Sequence, residues 1–392
     1  MINQNLNDFT IQLDRLEADG LFRKLRLVEG SPREKIIIDG KKVLNLCSNN
    51  YLGLADDKRL KSAAIAAIKK YGVGAGASRL VCGNMYLHRQ LEKRLARFKN
   101  TEGSLVFSSG YMANLGTISA LVGRKDVVCA DKLNHASLVD AILLSRAEFK
   151  RYPHKDMQAL EGLLRGCRTK KKLIVTDTVF SMDGDIAPLP EIVGLARRYG
   201  AMVMVDEAHA TGILGDSGKG AVAHFHLEGQ VDIQMGTLSK AVGSHGAYIC
   251  AEKTLIDFLV NKSREFIFTT ALPVSLCAAA ITAIGIIEKD FSLRKRLLEN
   301  VEFLRTGLEG LDFDVGESQT PIIPVITRDE KLTMEFSKRL FEDGVFVQGI
   351  RPPTVPLGQS RLRVTVMATH KIKELEKVLS AFEKAGKALG II

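Results

Sequence analysis

The chain has 392 residues, 46% of them hydrophobic and 26% charged, with a formal net charge of +10. This length predicts two or three domains with a large core, and no apolar run reaches the ~20 residues of a membrane span. The polar, acidic N-terminus is not expected to be a secretory signal. The six cysteines lack C-x-x-C spacing, which favours reduced thiols in the cytoplasm. The positive charge fits solubility or an anionic substrate, whereas the dispersed basic residues argue against nucleic acid.

The first predicted elements are an amphipathic helix within residues 1–30 and a small pair of strands at 36–39 and 42–46. A helix capped by Asp57 precedes the glycine-rich stretch 72–79. That stretch resembles a dinucleotide-binding fingerprint, but it follows a helix and not a strand. A flexible loop beside a site is therefore the interpretation we favour.

From residue 104 onward, strands and helices alternate. The predicted strands of this region are 104–107, 126–130, 172–176, 201–205 and 231–235. This alternation predicts an α/β fold with a mostly parallel central sheet, helices on both faces and ligands at the strand carboxyl ends. A long helical stretch is predicted from Pro273 to about Leu308, and the helices and strands that follow predict a smaller α+β C-terminal domain. The expected division is an arm at 1–47, a large domain at 48–285 and a small domain at 286–392.

Two strand ends in the first half of the sheet carry candidate ligand-binding residues. Ser109 and Gly110 open a helix after strand 104–107, and small residues at a helix N-terminus leave backbone N–H groups free for phosphate. An ordinary serine cap remains the alternative. His135 follows strand 126–130, where it is placed to stack on a planar ring, although a lone histidine is more often structural.

The most informative stretch runs from residue 201 to 249. Asp206 ends one buried strand, and Lys240 follows the next strand among small residues. A crowded lysine has a lowered pKa and attacks aldehydes. A nearby carboxylate can keep a pyridine nitrogen protonated. The pair indicates pyridoxal 5'-phosphate (PLP), with Lys240 forming the Schiff base.

Other functional classes fit the same residues less well. Residues 205–209 have the sequence VDEAH, which matches the acidic box of a nucleic-acid-dependent ATPase. Such an enzyme needs an upstream G-x-x-x-x-G-K-[ST] loop, whereas the nearest candidate lies downstream and has Gly220 in place of the Ser/Thr. A non-catalytic protein on the same fold is a further alternative. His224 and His226 lack additional ligands, so no metal site is expected.

Five blocks together resemble the α-oxoamine synthases, which are fold-type I PLP-dependent transferases. These enzymes condense an amino acid with an acyl thioester and release CO2. The resemblance covers about residues 16–370, and two stretches, 76–84 and 350–356, favour the branch that joins L-alanine to a pimeloyl thioester in biotin synthesis. Glycine C-acetyltransferase is the nearest alternative. The five blocks are 48–54, 76–80, 180–185, 206–209 and 237–240.

The resemblance implies a cofactor site at the strand ends. Lys240 would hold the cofactor and move the substrate α-proton, Asp206 would pair with the ring nitrogen, and His135 would stack on the ring. Ser181 and His209 would form hydrogen bonds near the ring hydroxyl. The residues expected to line the cofactor, largely on its phosphate side, are Ser109, Gly110, Tyr111 and Thr237.

The resemblance also implies substrate contacts and a homodimer. Thr269 or Thr270 would reach the phosphate bound by the other subunit. Asn49 and Arg363 would bind the amino-acid carboxylate, with Arg361 on the same strand face as the alternative. The expected partners are an amino acid, with alanine favoured over glycine, and a thioester of coenzyme A or of an acyl carrier protein. Thr354 is expected near the substrate, and Arg23 at the carboxylate of the acyl chain.

Overall fold

The computed structural model describes residues 4–18, 20–168 and 171–392. Its strands are β1 (Val28–Glu29), β2 (Lys35–Ile38), β3 (Lys41–Asn45), β4 (Gly103–Phe107), β5 (Val127–Asp131), β6 (Glu148–Tyr152), β7 (Lys172–Asp177), β8 (Met202–Asp206), β9 (Ile233–Thr237), β10 (Ala247–Ala251), β11 (Ile322–Arg328), β12 (Val345–Phe346), β13 (Gln348–Ile350) and β14 (Ser360–Thr365).

The helices connect these strands and cover their faces. They are α1 (Gln4–Ala18), α2 (Lys58–Tyr71), α3 (Tyr86–Lys99), α4 (Gly110–Leu121), α5 (Ala136–Ser145), α6 (Met157–Arg165), α7 (Leu189–Tyr199), α8 (Ala221–His224), α9 (Lys253–Lys262), α10 (Arg264–Ile267), α11 (Val274–Lys289), α12 (Phe291–Glu309), α13 (Glu330–Glu342) and α14 (Ile372–Leu389). No helix within the described ranges is both long and apolar enough to cross a bilayer.

The central sheet has seven strands in the order β4-β10-β9-β8-β7-β5-β6. Only β10 runs against its two neighbours, β4 and β9. Val203 and Val205 of β8 pack into one core, whereas Met204 packs into a second core on the opposite face. Successive side chains of a strand point to opposite faces, so a sheet covered by helices on both sides requires continuous apolar strands. The predicted α/β fold class is confirmed.

The carboxyl ends of several strands meet at one edge of this sheet. Asp177 of β7 is the register partner of Asp206 of β8, which in turn lies beside Met235 of β9. β4 has the same direction as β9, so the N-terminus of α4 starts at this edge too. His135 follows β5, which is parallel to β7. The topology therefore collects the candidate site residues.

Two smaller sheets complete the fold. β11, β14 and β13 form an antiparallel sheet, and β1, β2, β3 and β12 form the other. In the latter, β12 pairs in parallel with β3, with Val345 opposite Leu44. The chain's N-terminal strands are thus joined to a segment from its last quarter. The division at 47/48 and 285/286 stays a prediction.

Three differences from the predicted elements have local causes. The N-terminal helix ends at Ala18 and not near residue 30, and residues 1–3 lie outside the described part of the chain. Strand β6, with the sequence EFKRY, was missed because it is a sheet edge with partly exposed charged residues. The long helix predicted after Pro273 is interrupted at Asp290, whose side chain accepts the backbone N–H of Ser292.

Candidate active site

The N-terminus of α4 forms one end of the candidate site. Ser109 caps this helix by accepting a first-turn N–H. A Cβ atom on Gly110 would lie 2.9 Å from Thr237 Cγ2 and 3.0 Å from Met235 Cε, so glycine permits this close approach. Thr237 Oγ1 is buried and has no hydrogen-bond partner within the described residues. An anion at the helix N-terminus would give this hydroxyl its missing partner.

Asp206 forms the acidic end of the site. Its Oδ2 accepts from Asn114 Nδ2 at 2.9 Å and its Oδ1 accepts from the Ala208 N–H at 2.9 Å. Asn114 also donates to Ser137 Oγ at 2.9 Å. These bonds fix the carboxylate, which is buried. Asn114 was missed because a single amide in an apolar helix gives no sequence signal of a partner 92 residues away.

A second buried carboxyl group, Asp177, lies beside Asp206. Its Oδ2 accepts the backbone N–H of His135 at 2.7 Å. Burial and the adjacent charge of Asp206 raise the pKa of Asp177 well above its usual range. A cation at this edge, such as a protonated pyridine nitrogen, would relieve that repulsion. Asp177 was not predicted as a site residue, although it follows a predicted strand just as Asp206 does.

Lys240 presents its amine to the same edge of the sheet. Its Nζ lies 3.0 Å from His209 Nε2. Burial lowers the pKa of Lys240 to about 8, although the carboxylates of Asp206 and Asp177 favour its charged form. Burial and the charge of Lys240 hold the pKa of His209 well below its usual value. A neutral imidazole therefore faces an amine that loses its proton near neutral pH.

A chain of hydrogen bonds extends from this amine to an arginine. Tyr51 Oη lies 2.7 Å from His209 Nδ1 and donates to Asn49 Oδ1 at 3.2 Å. Both terminal nitrogens of Arg363 donate to the same Asn49 oxygen at 3.2 Å. When Lys240 donates to His209 Nε2, the Nδ1–H is left to donate to Tyr51. Tyr51 belongs to the sequence block 48–54, but it was not predicted as a site residue.

The two candidate arginines on β14 differ in their partners. Arg361 donates to Asp183 Oδ1 at 2.5 Å and to the Gln359 carbonyl at 2.9 Å, so a carboxylate already balances its charge. Arg363 donates to the Ser181 carbonyl at 2.5 Å and to the Asn49 amide, and it has no carboxylate partner in the described part of the chain. The geometry favours Arg363 as the cation for a substrate carboxylate.

Comparison with known proteins places this arrangement in a family. The model of the aminotransferase class I and II family matches residues 41–382. The chain belongs to this family. It is 52% identical over 384 residues to an 8-amino-7-oxononanoate synthase of Geobacter sulfurreducens, covering 97% of this chain and 98% of that protein. A synthase of the same name from Thermoanaerobacter pseudethanolicus is 51% identical over 383 residues, covering 97% of each chain.

Solved structures of PLP enzymes have the same fold. A serine palmitoyltransferase from Sphingomonas wittichii superimposes with a TM-score of 0.94 at 33% identity over all of both chains. An 8-amino-7-oxononanoate synthase from Francisella tularensis gives a TM-score of 0.78 at 30% identity, covering 89% of this chain and 99% of that one. A solved serine palmitoyltransferase that holds PLP also matches, at 34% identity with a TM-score of 0.94. The predicted fold type and the α-oxoamine synthase resemblance are confirmed.

In this aminotransferase class I and II chain, a cavity of about 580 Å³ is lined by two of the cofactor candidates and two of the substrate candidates. His135 and Ser181 line it, together with Thr354 and Arg23. Arg23 Nη2 lies 3.5 Å from Thr354 Oγ1. His135 also caps α5, and burial lowers the pKa of its ring.

Three other predicted residues do not line this cavity. Tyr111 is exposed and its hydroxyl donates to Asp140. Thr269 and Thr270 do not line the cavity described above but border another depression beside Arg79 and Phe266. Within one chain, the structure thus does not bring these two threonines into the cavity that contains His135 and Ser181.

Proposed function

We propose that this chain condenses L-alanine with a pimeloyl thioester to give 8-amino-7-oxononanoate, CO2 and a free thiol, using PLP, in biotin synthesis. One observation carries the chemistry: the amine of Lys240, with its lowered pKa, lies in one hydrogen-bonded network with Arg363. This network offers a nucleophile for an aldehyde cofactor and a cation for an amino acid. The identity of about 52% to 8-amino-7-oxononanoate synthases over nearly the whole chain supports the substrate choice.

The site residues fit PLP at both of its ends. The buried hydroxyl of Thr237 without a partner and the Gly110 approach suit the phosphate. The adjacent carboxyl groups of Asp206 and Asp177 suit the protonated ring nitrogen. When bound, the cofactor supplies an electron sink for the carbanion at the substrate Cα.

The chain's own residues then bind the amino acid and move its proton. Arg363 offers its guanidinium to the carboxylate, oriented by Asn49. Lys240 Nζ, with a pKa of about 8, accepts the Cα proton. The neutral His209 holds that amine at 3.0 Å.

The cavity beyond this centre suits a long acyl chain. Arg23 and Thr354 lie on its lining with His135 and Ser181. The guanidinium of Arg23 is a partner for the distal carboxylate of a pimeloyl group. The substrate carbanion attacks the thioester carbonyl, the thiol leaves, and the resulting β-keto acid loses CO2.

Product mass identifies the substrates. The enzyme is given three pairs, namely alanine with pimeloyl thioester, glycine with acetyl-CoA, and serine with palmitoyl-CoA. We expect 8-amino-7-oxononanoate to dominate. The methyl group of alanine alone is worth only ~1–3 kcal/mol of discrimination, so the acyl cavity must add selectivity. A dominant aminoketobutyrate product would move the assignment to glycine C-acetyltransferase. Supplying pimeloyl on coenzyme A and on an acyl carrier protein distinguishes the carriers.

We also propose a homodimer that shares its sites between subunits. Large apolar side chains are exposed on the N-terminal arm and near the two threonines, among them Phe9, Leu25, Val81 and Phe268. Apolar surface of this extent is typical of an interface. Thr270 forms an isolated bridge with Ser78 at this surface. A two-fold interface would place Thr269 and Thr270 at the partner's phosphate.

Mixed dimers test this sharing of sites. A Lys240→Ala chain is co-expressed with a chain that carries Thr269→Ala and Thr270→Ala. Each mixed dimer has one intact site if the threonines act across the interface, so about a quarter of wild-type activity should return. Activity no greater than the sum of the two separate variants, or a fully active monomer in sedimentation, would contradict the proposal.

A further inference from the structure

His154, between β6 and α6, is a partly buried histidine outside the proposed catalytic set. Its Nδ1 lies 3.0 Å from Asp131 Oδ1, and its Nε2 lies 2.9 Å from Asp185 Oδ2. Both aspartates are buried. The ring also meets Phe180 edge-on, with centroids 4.4 Å apart and planes at 88°. The imidazole is thus held between two carboxyl groups and an aromatic face.

These contacts determine where the proton lies. A neutral imidazole has one N–H, and ionised carboxylates only accept, so two hydrogen bonds to two carboxylates require an imidazolium. Asp131 has further donors, because it accepts the N–H groups of Leu133 and Lys155 at 2.8 and 2.9 Å. Lys155 Nζ lies 2.6 Å from Asp185 Oδ2 and 3.8 Å from the exposed Glu317.

The pKa values agree with this assignment. Burial opposes the charge on His154, but the hydrogen bonds to Asp131 and Asp185 outweigh it and raise the pKa of the imidazole to about 9. Burial likewise acts against the ionised form of Asp185, yet bonds from His154 and Lys155 lower the pKa of this carboxyl. The imidazolium of His154 and the carboxylate of Asp185 are therefore paired at neutral pH.

The two aspartates lie at the ends of two loops whose residues line the 580 Å³ cavity. Asp131 ends β5 and immediately precedes the loop 132–135, which carries His135. Asp185 closes the loop 180–185, which carries Ser181, and its carbonyl accepts the Phe180 N–H at 3.1 Å. His154 joins these loops by its ring.

We propose that His154 is a positioning residue whose imidazolium fixes the separation of loops 132–135 and 180–185, and so seats His135 and Ser181. Its effect on catalysis rests on the proposed function, whereas its protonation and its link between the loops do not. A group with a raised pKa contributes stability that is complete below its unfolded pKa and is lost as pH rises through its folded pKa. The link should therefore weaken as pH rises through about 9.

Nitrogen-15 NMR of the histidine rings tests the protonation directly. The His154 signal is identified by its loss in His154→Gln, and spectra are recorded with and without PLP. We expect both ring nitrogens of His154 to be protonated at pH 8, with the change centred near pH 9. A neutral ring at pH 7 would overturn the proposal, whether or not the enzyme makes the proposed product.

A pair of variants tests the link between the loops. His154→Gln removes the bridge, whereas the control Lys155→Gln removes a different cation from the same carboxylate of Asp185. We expect His154→Gln to lower kcat/KM about 100-fold with a raised KM, because a displacement of about 1 Å costs roughly this much. PLP release should also accelerate. In the wild type, weakening of the link should lower PLP affinity as pH rises through about 9, and His154→Gln should lack this fall.

Lys155→Gln should stay within about threefold of wild type, as for a partly exposed ion pair. Thermal unfolding of the cofactor-free proteins compares their folds. Equal losses in both variants, or wild-type cofactor affinity and pH dependence in His154→Gln, would refute the positioning role. Since PLP affinity and NMR need no turnover, an inactive wild type would count against the proposed reaction alone.

Discussion

Lys240→Ala is expected to abolish turnover, with a loss of at least about 10⁴-fold, because one amine serves as cofactor anchor and as proton acceptor. The fold should persist, since Lys240 is only partly buried and contacts His209 by one hydrogen bond. The wild-type protein should be yellow and retain PLP through dialysis. The variant should release it, and its visible band should resemble that of the free cofactor.

The pH dependence gives this prediction a second measurement. Only the unprotonated amine attacks an aldehyde, and the pKa of Lys240 is about 8. The rate of PLP capture should therefore rise from pH 7 to pH 9 and then level off. Ser239→Ala, at the exposed neighbouring position, is the matched control and should keep colour and activity. A Lys240→Ala protein that still turns over would refute the assignment of the nucleophile.

Asp206→Asn is expected to have the second-largest effect. The change keeps the side chain's size but removes the buried negative charge opposite a protonated ring nitrogen. Removing one partner of a buried ion pair costs about 3–5 kcal/mol, which corresponds to a roughly 200- to 5,000-fold loss in rate. Exchange of the substrate α-proton in deuterated water should fall to a similar extent.

Asp177→Asn is the matched control for Asp206→Asn. It removes the neighbouring buried carboxyl, whose pKa is already raised by burial and by Asp206. Because an asparagine oxygen can still accept the His135 N–H, and because burial and Asp206 already disfavour a charge on Asp177, we expect a loss below about tenfold. Thermal unfolding of both variants shows whether each has folded. A larger effect in Asp177→Asn than in Asp206→Asn would reverse the roles of the two acids.

Part of this site could be predicted from the sequence because its residues follow buried strands. Lys240 and Asp206 come after apolar runs, and parallel strands deliver their ends to one edge of a sheet. Asp177 obeys the same rule and was overlooked. The glycine at 110 was identified as part of a phosphate-binding turn, and the structure adds the close contact with Thr237.

Other residues could not be found this way because their partners are distant in the chain. Tyr51 contacts His209, which lies 158 positions away, and Arg363 contacts Asn49 across 314 positions. His154 meets carboxylates from two different loops. Periodicity and caps describe neighbours along the chain, whereas these contacts depend on the completed fold. The choice between Arg361 and Arg363 likewise needed the position of Asp183.

The parallel pairing of β12 with β3 has a consequence for synthesis on the ribosome. Lys41–Asn45 emerges early, but Val345 and Phe346 are made about three hundred residues later. All strands of the seven-stranded sheet precede residue 252, so that sheet can assemble first. Until the last quarter of the chain is translated, β3 has one unpaired edge, and unpaired edges attract strands of other chains. Closing this long loop is therefore a late step in folding.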